Sequence, residues 1–327
     1  MRIFLIVVSF AAALWGGYWL VVSQIVQRGA LALLADIDAD PTVSAGTAGL
    51  RVGGFPARFD LTVTEPELRS NPDGFSWQAP GFRLVVPSYR PNHITAIWPD
   101  SQRLNIDGET FELTSTDMRS EVFFRLGWGL PLDRLRFRLS DLRLLGPLGD
   151  VGIGAALITT SRADAAGREH DLAADISSIL PDAGWLGALP PATPSVIEGL
   201  VLDARLDFDE PIALMGDPQA QPALVGLDLR EASLEWGPMT VRIVGSFTAG
   251  RAGLWNGRAT LTARNWEQML DIAIAAGWIE AGPAGFLRGG LATLDRDGEL
   301  SAPIELREGV IRFAGIPISR PPATGGF

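Results

Sequence analysis

The stretch Leu202-Asp203-Ala204-Arg205-Leu206-Asp207-Phe208-Asp209 alternates apolar and charged side chains. Successive side chains of a β-strand point to opposite faces of a sheet, so this pattern predicts a strand with one apolar and one hydrated face. The alternation recurs in five other stretches of the chain, which are residues 59–64, 134–139, 239–243, 259–263 and 304–307. Turn sequences such as Asp107-Gly108 separate them, which favours antiparallel strands joined by short connections.

The predicted fold is therefore mainly β: an antiparallel, curved or groove-forming sheet with two or three short helices. The clearest helix is expected near residues 265–277. Asn265 is a good N-cap, Gln268 follows it in a capping-box position, and Gly277 favours a stop. A second helix is expected after Pro283.

The N-terminus carries an uncharged, largely apolar run at residues 3–22. At ~1.5 Å per residue such a run spans about 30 Å as a helix, the thickness of a bilayer core. We predict that residues 1–28 are an uncleaved transmembrane anchor in contact with the membrane through residues 3–26, with Tyr18 and Trp19 at its outer interface. The alternative is a cleaved signal peptide that ends at Ala30-Leu31-Ala32.

Charges beside the run predict its orientation. Arg2 lies on the short N-terminal side, and Asp36, Asp38 and Asp40 follow on the other side. Basic residues favour the cytoplasmic side, so we expect a single-pass inner-membrane protein with the bulk of the chain in the periplasm.

The rest of the chain divides by composition into four expected parts. These are a first β-rich region at 29–180, a proline-rich linker at 181–195, a second β-rich region at 196–320 and a tail at 321–327. Two segments, one at Trp77 and one at Trp236, both resemble hairpins with a proline at the turn, and in both an arginine follows six residues after the tryptophan. The similarity predicts either a duplicated unit or two unrelated hairpins.

Composition excludes several kinds of chemistry. All 27 basic residues are arginine, cysteine is absent, and histidine occurs twice. A phosphate-binding P-loop needs lysine, and thiol nucleophiles and cysteine metal sites need cysteine. The net charge of −11 argues against binding to a nucleic-acid backbone. We therefore predict no catalytic residues, no cofactor, no metal site and no nucleic-acid partner.

One polar cluster stands out as a candidate binding loop. It consists of Tyr89, Arg90, Asn92, His93 and Trp98, stiffened by prolines on both sides. The alternative is a corner whose polar side chains bond the backbone of their own turn. The other histidine, His170, lies among Arg168, Glu169 and Asp171 and is expected on a solvated face.

Several motifs together resemble the bacterial envelope family catalogued as domain of unknown function 2125. They are Trp15-Gly16-Gly17-Tyr18-Trp19, Gly54-Phe55-Pro56-Ala57-Arg58-Phe59-Asp60, Trp77-Gln78-Ala79-Pro80, Ser88-Tyr89-Arg90-Pro91-Asn92-His93, Ala96-Ile97-Trp98-Pro99 and Glu235-Trp236-Gly237-Pro238. The family supplies no catalytic residues. A looser similarity to AsmA-like envelope proteins implies one membrane helix, a long sheet around an apolar groove, and a role in moving phospholipid.

These observations favour a non-enzymatic, membrane-anchored periplasmic protein that binds phospholipid or another apolar envelope component on its sheet. An envelope assembly module that binds other proteins is the second hypothesis. A hydrolase that uses a pair of carboxylates is the third, because 38 acidic residues contain many pairs. An open apolar trough would favour lipid, and a closed sandwich with an exposed apolar patch would favour a protein partner.

Overall fold

A computed structural model of the chain describes most of its residues: 2–38, 42–70, 74–127, 129–147, 149–214, 222–250, 254–279, 284–307, 309–313 and 316–319. Side chains are described in these ranges except at 2–13, 33–38 and 316–319. The chain divides into two compact units. The first consists of Met1–Phe124 and Phe137–Pro147, and the second of Arg125–Arg136 and Leu148–Phe327. The proline-rich segment 181–195 lies inside the second unit.

The fold is mainly β, as predicted, with four helices among the described residues. The helices are α1 (Arg2–Asp38), α2 (Ala183–Gly187), α3 (Trp266–Ala275) and α4 (Ala284–Ala292). The strands are β1 (Val43–Gly46), β2 (Gly49–Gly53), β3 (Arg58–Thr64), β4 (Glu67–Ser70), β5 (Phe75–Gln78), β6 (Gly81–Pro87), β7 (His93–Ile97), β8 (Ser101–Ile106), β9 (Glu109–Thr114), β10 (Asp117–Phe124), β11 (Leu132–Gly146), β12 (Gly149–Arg162), β13 (Glu169–Leu180), β14 (Ile197–Phe208), β15 (Leu224–Trp236), β16 (Met239–Ala249), β17 (Trp255–Arg264), β18 (Asp295–Arg296), β19 (Glu299–Arg307), β20 (Val310–Phe313) and β21 (Ile316–Ser319).

The first unit is an antiparallel meander of long strands that are interrupted near their middles. Five strands consist of two segments each: β1 and β2, β3 and β4, β5 and β6, β7 and β8, and β9 and β10. Each pairs with the next along its length, and β9 also pairs with β11. The interruptions lie opposite one another in register, so they form one line across the sheet.

Prolines account for three of the interruptions. Pro66, Pro80 and Pro99 each fall between the two segments of a strand. Proline has no N–H to donate to a neighbouring strand, so it breaks the ladder where it occurs. Glu65 and Ala79 keep the strands together there, since their N–H groups donate to the carbonyls of Pro80 and Pro66 over 3.2 Å.

Helix α1 packs against the first unit. Trp19 is buried, and its ring stacks on Phe59 of β3 with the centroids 5.7 Å apart. Its indole N–H donates to the carbonyl of Arg58 over 2.9 Å. The apolar run predicts Trp19 at a membrane interface, whereas its ring lies against the sheet. The apolar face of β3 and the amphipathic shape of tryptophan together favour this contact.

None of the helices, over the residues that the structure describes, is long and apolar enough to cross a membrane. Much of the apolar run at 3–22, on which the anchor prediction depends, lies outside the described side chains. The tail at 321–327 also lies outside the described residues.

The second unit is a meander of longer strands. Strands β12 to β17 pair in chain order, and β19 then pairs with β17 after α3, α4 and β18. Strands β20 and β21 continue the sheet. The six alternating stretches of the sequence all lie on strands, which confirms those predictions.

The clearest predicted helix is confirmed as α3, but its N-terminus differs from the expected capping box. Asn265 has a left-handed backbone with φ 53° and makes no side-chain cap. Its amide instead donates to Pro238 O over 2.5 Å, and the Gln268 amide donates to Ala192 O over 3.1 Å. Both side chains therefore tie the helix to neighbouring turns. Gly277, with φ 73°, follows the helix end as expected.

The predicted similarity between the segments at Trp77 and Trp236 does not hold in the structure. Strands β15 and β16 form a hairpin, with Trp236 opposite Met239. Strands β5 and β6 pair instead with β4 and β8 and with β3 and β7. Ala79-Pro80 is thus an interruption within one long strand, where proline removes a ladder hydrogen bond without reversing the chain.

Candidate functional site

One face of the second sheet carries four aligned rows of mostly apolar side chains, which we call the apolar face. Strand pairing places each row across β13 to β19. The rows are His170, Leu206, Leu227, Phe247, Gly257 and Leu306; Leu172, Ala204, Leu229, Gly245, Ala259 and Ile304; Ala174, Leu202, Ala232, Ile243, Leu261 and Ala302; and Ile176, Leu200, Leu234, Val241, Ala263 and Leu300.

Small residues alternate with large ones in the two middle rows of the apolar face, and Gly245 of β16 lies opposite Ala259 of β17. A Cβ atom added to Gly245 would lie 2.5 Å from the carbonyl oxygen of Arg258 and from the Cβ of Ala259. No ordinary side chain fits that space, so glycine is required there. Ala204, Ala259 and Ala302 in the two middle rows are also small, and they are buried among the larger side chains.

Helices pack against one end of the apolar face. Trp266 and Leu270 of α3 are buried against Ala263 and Leu300. The adjacent cluster contains Trp236, Met239, Ile272 and Leu189, with Trp185 of α2 packed on it. The indole of Trp236 donates to Pro194 O over 2.8 Å, so the segment Glu235-Trp236-Gly237-Pro238 belongs to this helical end. Away from it, the leucine, isoleucine and phenylalanine side chains of the face are only partly buried.

His170 lies at the opposite end of the apolar face, and the prediction of a solvated histidine is wrong. Its side chain is 1% exposed, and its ring meets Phe208 edge to face at 6.1 Å. Among the described residues neither ring nitrogen has a hydrogen-bond partner. Burial lowers the pKa of the imidazole, while the nearby backbone of Gly167 and then the Asp164 carboxylate oppose the shift in part. The ring is therefore held neutral.

The β12–β13 turn beside His170 is organised by Asp164. Its carboxylate accepts hydrogen bonds from the N–H groups of Ala166, Gly167, Arg168 and Glu169 over 2.8 to 3.1 Å. Partial desolvation raises the pKa of Asp164, but these backbone hydrogen bonds outweigh it and hold the pKa below its usual range. The turn is thus fixed by an ionised carboxylate.

The other face of the second sheet is polar. Asp171 accepts from Arg205 over 3.0 Å and from Arg230 over 2.9 Å, and Arg230 also pairs with Asp203 at 2.6 Å. Arg205 and then Arg230 hold the pKa of Asp171 below its usual range. The contrast between the two faces matches the alternation seen in the sequence. The described rows of the apolar face contain no comparable charge pairs.

The predicted binding loop is divided among three environments. Tyr89 and Arg90 are exposed in the turn after β6. The Asn92 amide donates to the carbonyl of Phe124 over 2.8 Å, and the His93 ring stacks on Phe123 with centroids 4.1 Å apart. Trp98 lies elsewhere, in an aromatic cluster. The structure therefore does not bring the five residues together around one site.

That aromatic cluster lies at the line of strand interruptions. The Trp98 ring is 6.1 Å from Trp77 and 5.1 Å from Phe82, both edge to face. Trp77 donates to the Oε1 atom of Gln102 over 2.9 Å, and Trp98 donates to Ser120 over 3.0 Å. Each indole N–H has a partner and the three rings are half-buried against one another, so the cluster is packed and is not an open cage.

The motif segments that are far apart in the sequence meet in the first unit. Trp15 donates to Pro56 O over 3.0 Å, Tyr18 donates to Ser88 O over 3.5 Å, and Ser88 donates to Pro56 O over 3.1 Å. A family model described as an uncharacterized protein conserved in bacteria (DUF2125) matches residues 19–322. The chain belongs to the DUF2125 family.

The matched span covers most of this DUF2125 chain, including the segments at 54–60, 77–80, 88–93, 96–99 and 235–238. The resemblance inferred from the sequence is thereby confirmed for that family. Neither the curated proteins nor the solved structures contain a match to the chain, so the looser AsmA-like similarity gains no support from them.

The DUF2125 chain also has a polar cleft of about 540 Å³ along the line of interruptions. Its lining includes Glu67, Gln78, Arg103 and Glu112, which lie in register on four adjacent strands. The Gln78 amide, and then Arg69, hold the pKa of Glu67 below its usual range. A general acid needs a raised carboxyl pKa, so this shift has the opposite direction.

The described residues contain no group of three or more histidine or acidic side chains arranged to hold a metal ion.

Proposed function

We propose that this protein is a membrane-anchored periplasmic protein, not an enzyme, that binds phospholipid or another apolar envelope component on its apolar face. The observation that carries the proposal is the set of four aligned apolar rows, with helices packed at one end of them in the described part of the second unit. An acyl chain on such rows would gain ~0.8 kcal/mol for each methylene removed from water.

The partial burial of the face supports binding of an apolar ligand. Leu206, Leu227, Ile243 and Ile304 are neither fully buried nor freely exposed. A closed protein core buries such side chains almost completely, because interiors pack as densely as organic crystals. An acyl chain would cover the apolar surface that these four side chains leave exposed.

The anchored location rests on the sequence. The uncharged run at 3–22 is long enough for a bilayer, and Trp19, near the end of that run, packs on the first unit. The intact mass of protein from the membrane fraction tests the anchor, since a mature chain that begins at Leu33 would contradict it. A reporter fused after Phe327 should be active outside the cytoplasm, and cytoplasmic activity would reverse the orientation.

Two adjacent substitutions test lipid binding. Ile243 lies on the apolar face, and Val244 is exposed on the polar face of the same strand. In the full-length purified protein, Ile243→Asp should reduce the phospholipid recovered by solvent extraction, while Val244→Asp should leave it unchanged. The melting temperature of each variant is also measured, which separates loss of the ligand from unfolding of the protein.

The two readouts distinguish a groove from a core. A groove open to water lets the new carboxylate remain partly hydrated, so the Ile243→Asp variant should lose lipid while it keeps most of its stability. Wild-type protein without lipid, together with a collapsed melting temperature in that variant, would contradict the proposal and favour an assembly module.

A further inference from the structure

Four large aromatic side chains are exposed together at one end of the first unit. Trp15 is 41% exposed, Tyr18 42%, Phe55 58% and Tyr89 69%. They come from α1, from the turn before β3 and from the turn after β6. We call these four residues the aromatic tip.

Direct contacts hold the aromatic tip together. Trp15 and Tyr18 lie 5.5 Å apart, and each bonds to a backbone carbonyl of a different turn, at Pro56 and Ser88 respectively. The ring of Phe55 meets Trp19 edge to face at 5.4 Å. Three of the four rings therefore sit on a fixed base, and Tyr89 follows Ser88, whose carbonyl accepts the Tyr18 hydrogen bond.

The turn that carries Phe55 needs glycine at one position. Gly54 has φ 96°, and a Cβ there would lie 2.8 Å from the carbonyl oxygen of Arg58. The N–H of Arg58 donates back to the carbonyl of Gly54 over 3.1 Å. This compact turn keeps Phe55 at the end of the unit beside α1, where a Cβ atom added to Gly16 would lie 4.0 Å from the Phe55 ring.

The chemistry of the aromatic tip fits the boundary between lipid headgroups and acyl chains. Tryptophan and tyrosine place an apolar ring in the acyl region and a polar group near water, which is why they concentrate at membrane interfaces. Arg90 lies next to Tyr89 and is exposed, and no ion pair of the described residues involves it. An exposed guanidinium there suits anionic phospholipid headgroups.

Continuity with the N-terminal apolar run identifies the partner. The run that begins at residue 3 leads along α1 directly to Leu14 and Trp15, and Leu14 is itself exposed. Trp15 and Tyr18 lie within the uncharged run at 3–22, so the exposed patch and the run form one apolar surface, which a membrane matches more simply than a protein does.

We infer that the aromatic tip docks in the headgroup layer of a phospholipid bilayer and holds the first unit against the membrane surface. This inference goes beyond lipid binding on the apolar face, and it rests on the anchored location proposed above. Under this inference the turns that carry Phe55 and Tyr89 contact the lipid surface, in addition to the N-terminal helix itself.

Because the chain contains no cysteine, a single introduced cysteine can be labelled without changing any other residue. Single variants Phe55→Cys, Tyr89→Cys and Ile106→Cys of the full chain are each labelled with a nitroxide and reconstituted into vesicles of phosphatidylethanolamine and phosphatidylglycerol. Ile106 is the control, because it is exposed at the far end of the long strand formed by β7 and β8. Collision of each label with oxygen and with a water-soluble nickel chelate is measured by electron paramagnetic resonance.

Labels at positions 55 and 89 should show nickel collision several-fold lower than the label at position 106. Protein that floats with the vesicles but exposes all three labels equally would overturn the inference and leave the anchor intact. Equal shielding at all three positions would also overturn it. Protein that does not float would contradict both the anchor and the aromatic tip. Because each variant removes only one residue of the tip, and Tyr89 makes no hydrogen bond among the described contacts, a misfolded Phe55→Cys variant still leaves position 89 to decide.

Discussion

Trp19 stacks on Phe59 with 14° between the ring planes, which fixes the middle of the N-terminal helix to β3. The helix is thus part of the first unit's core at this point. Its indole N–H is satisfied by a backbone carbonyl, so the burial of the polar atom carries no penalty.

We expect Trp19→Ala to destabilise the first unit by about 3 to 5 kcal/mol, the usual cost of removing a buried tryptophan. Leu20→Ala is the matched control, because Leu20 is the next residue and is exposed. Chemical denaturation followed by circular dichroism measures both. Equal midpoints for the two variants would show that the helix does not contribute to the core at Trp19.

Leu61→Asp should damage folding, whereas Thr62→Asp should be tolerated. Leu61 is buried on β3, and Thr62 points to the opposite face. An unpaired carboxylate in an apolar environment costs several kcal/mol. Thermal melts of the two variants check this, and similar melting temperatures would mean that the alternation does not mark one buried face.

The stability of the second unit should fall with acidification because of His170. Its pKa is lowered in the folded state, so the unfolded chain takes up the proton first as the pH falls. The contribution of His170 to the free energy of unfolding is therefore fully present above pH ~6.5, the usual pKa of histidine. It is lost as the pH falls below that value. His170→Phe should flatten the dependence of the melting temperature on pH between about pH 7.5 and pH 5.5. His93→Phe is the control, and an unchanged slope in His170→Phe would contradict the assignment.

Asp164→Asn should weaken the β12–β13 turn at neutral pH. The carboxylate accepts four backbone hydrogen bonds, and an amide keeps only one acceptor oxygen. The pKa of Asp164 is lowered in the folded state, so its contribution is present above the usual value of ~3.9 and is lost as the pH falls below it. Hydrogen exchange of residues 163–168 measures the loosening. Asp228→Asn, on an exposed carboxylate of the same unit, should leave that exchange unchanged.

The strands and α3 could be predicted because their signals are local. Alternation in β3 or β14 and the apolar stripe of α3 are visible within ten residues. The solvated position predicted for His170 is wrong because that prediction rested on its charged sequence neighbours. The alternation itself places His170 in phase with Leu172, Ala174 and Ile176, so the period of two could have predicted its burial.

The aromatic tip and the line of interruptions could not be predicted in the same way. The tip joins three segments that are separated by tens of residues, and no local pattern states that they meet. Pro80 was expected to mark a hairpin turn, since proline favours both turns and strand breaks. The choice between them depends on the pairing of β5 and β6 with other strands, which is a tertiary property.

The meander has a consequence for how the chain reaches its native state. Each described strand pairs with strands that are close to it in the sequence, apart from the segment of α3 and α4 that separates β17 from β19. Such a sheet closes few long loops, so its contact order is low for a β protein and the entropy lost at each step is small. We therefore expect growth of the sheet from its N-terminal strands while the rest of the chain is still being synthesised, with the helix-covered end of the second unit completed last.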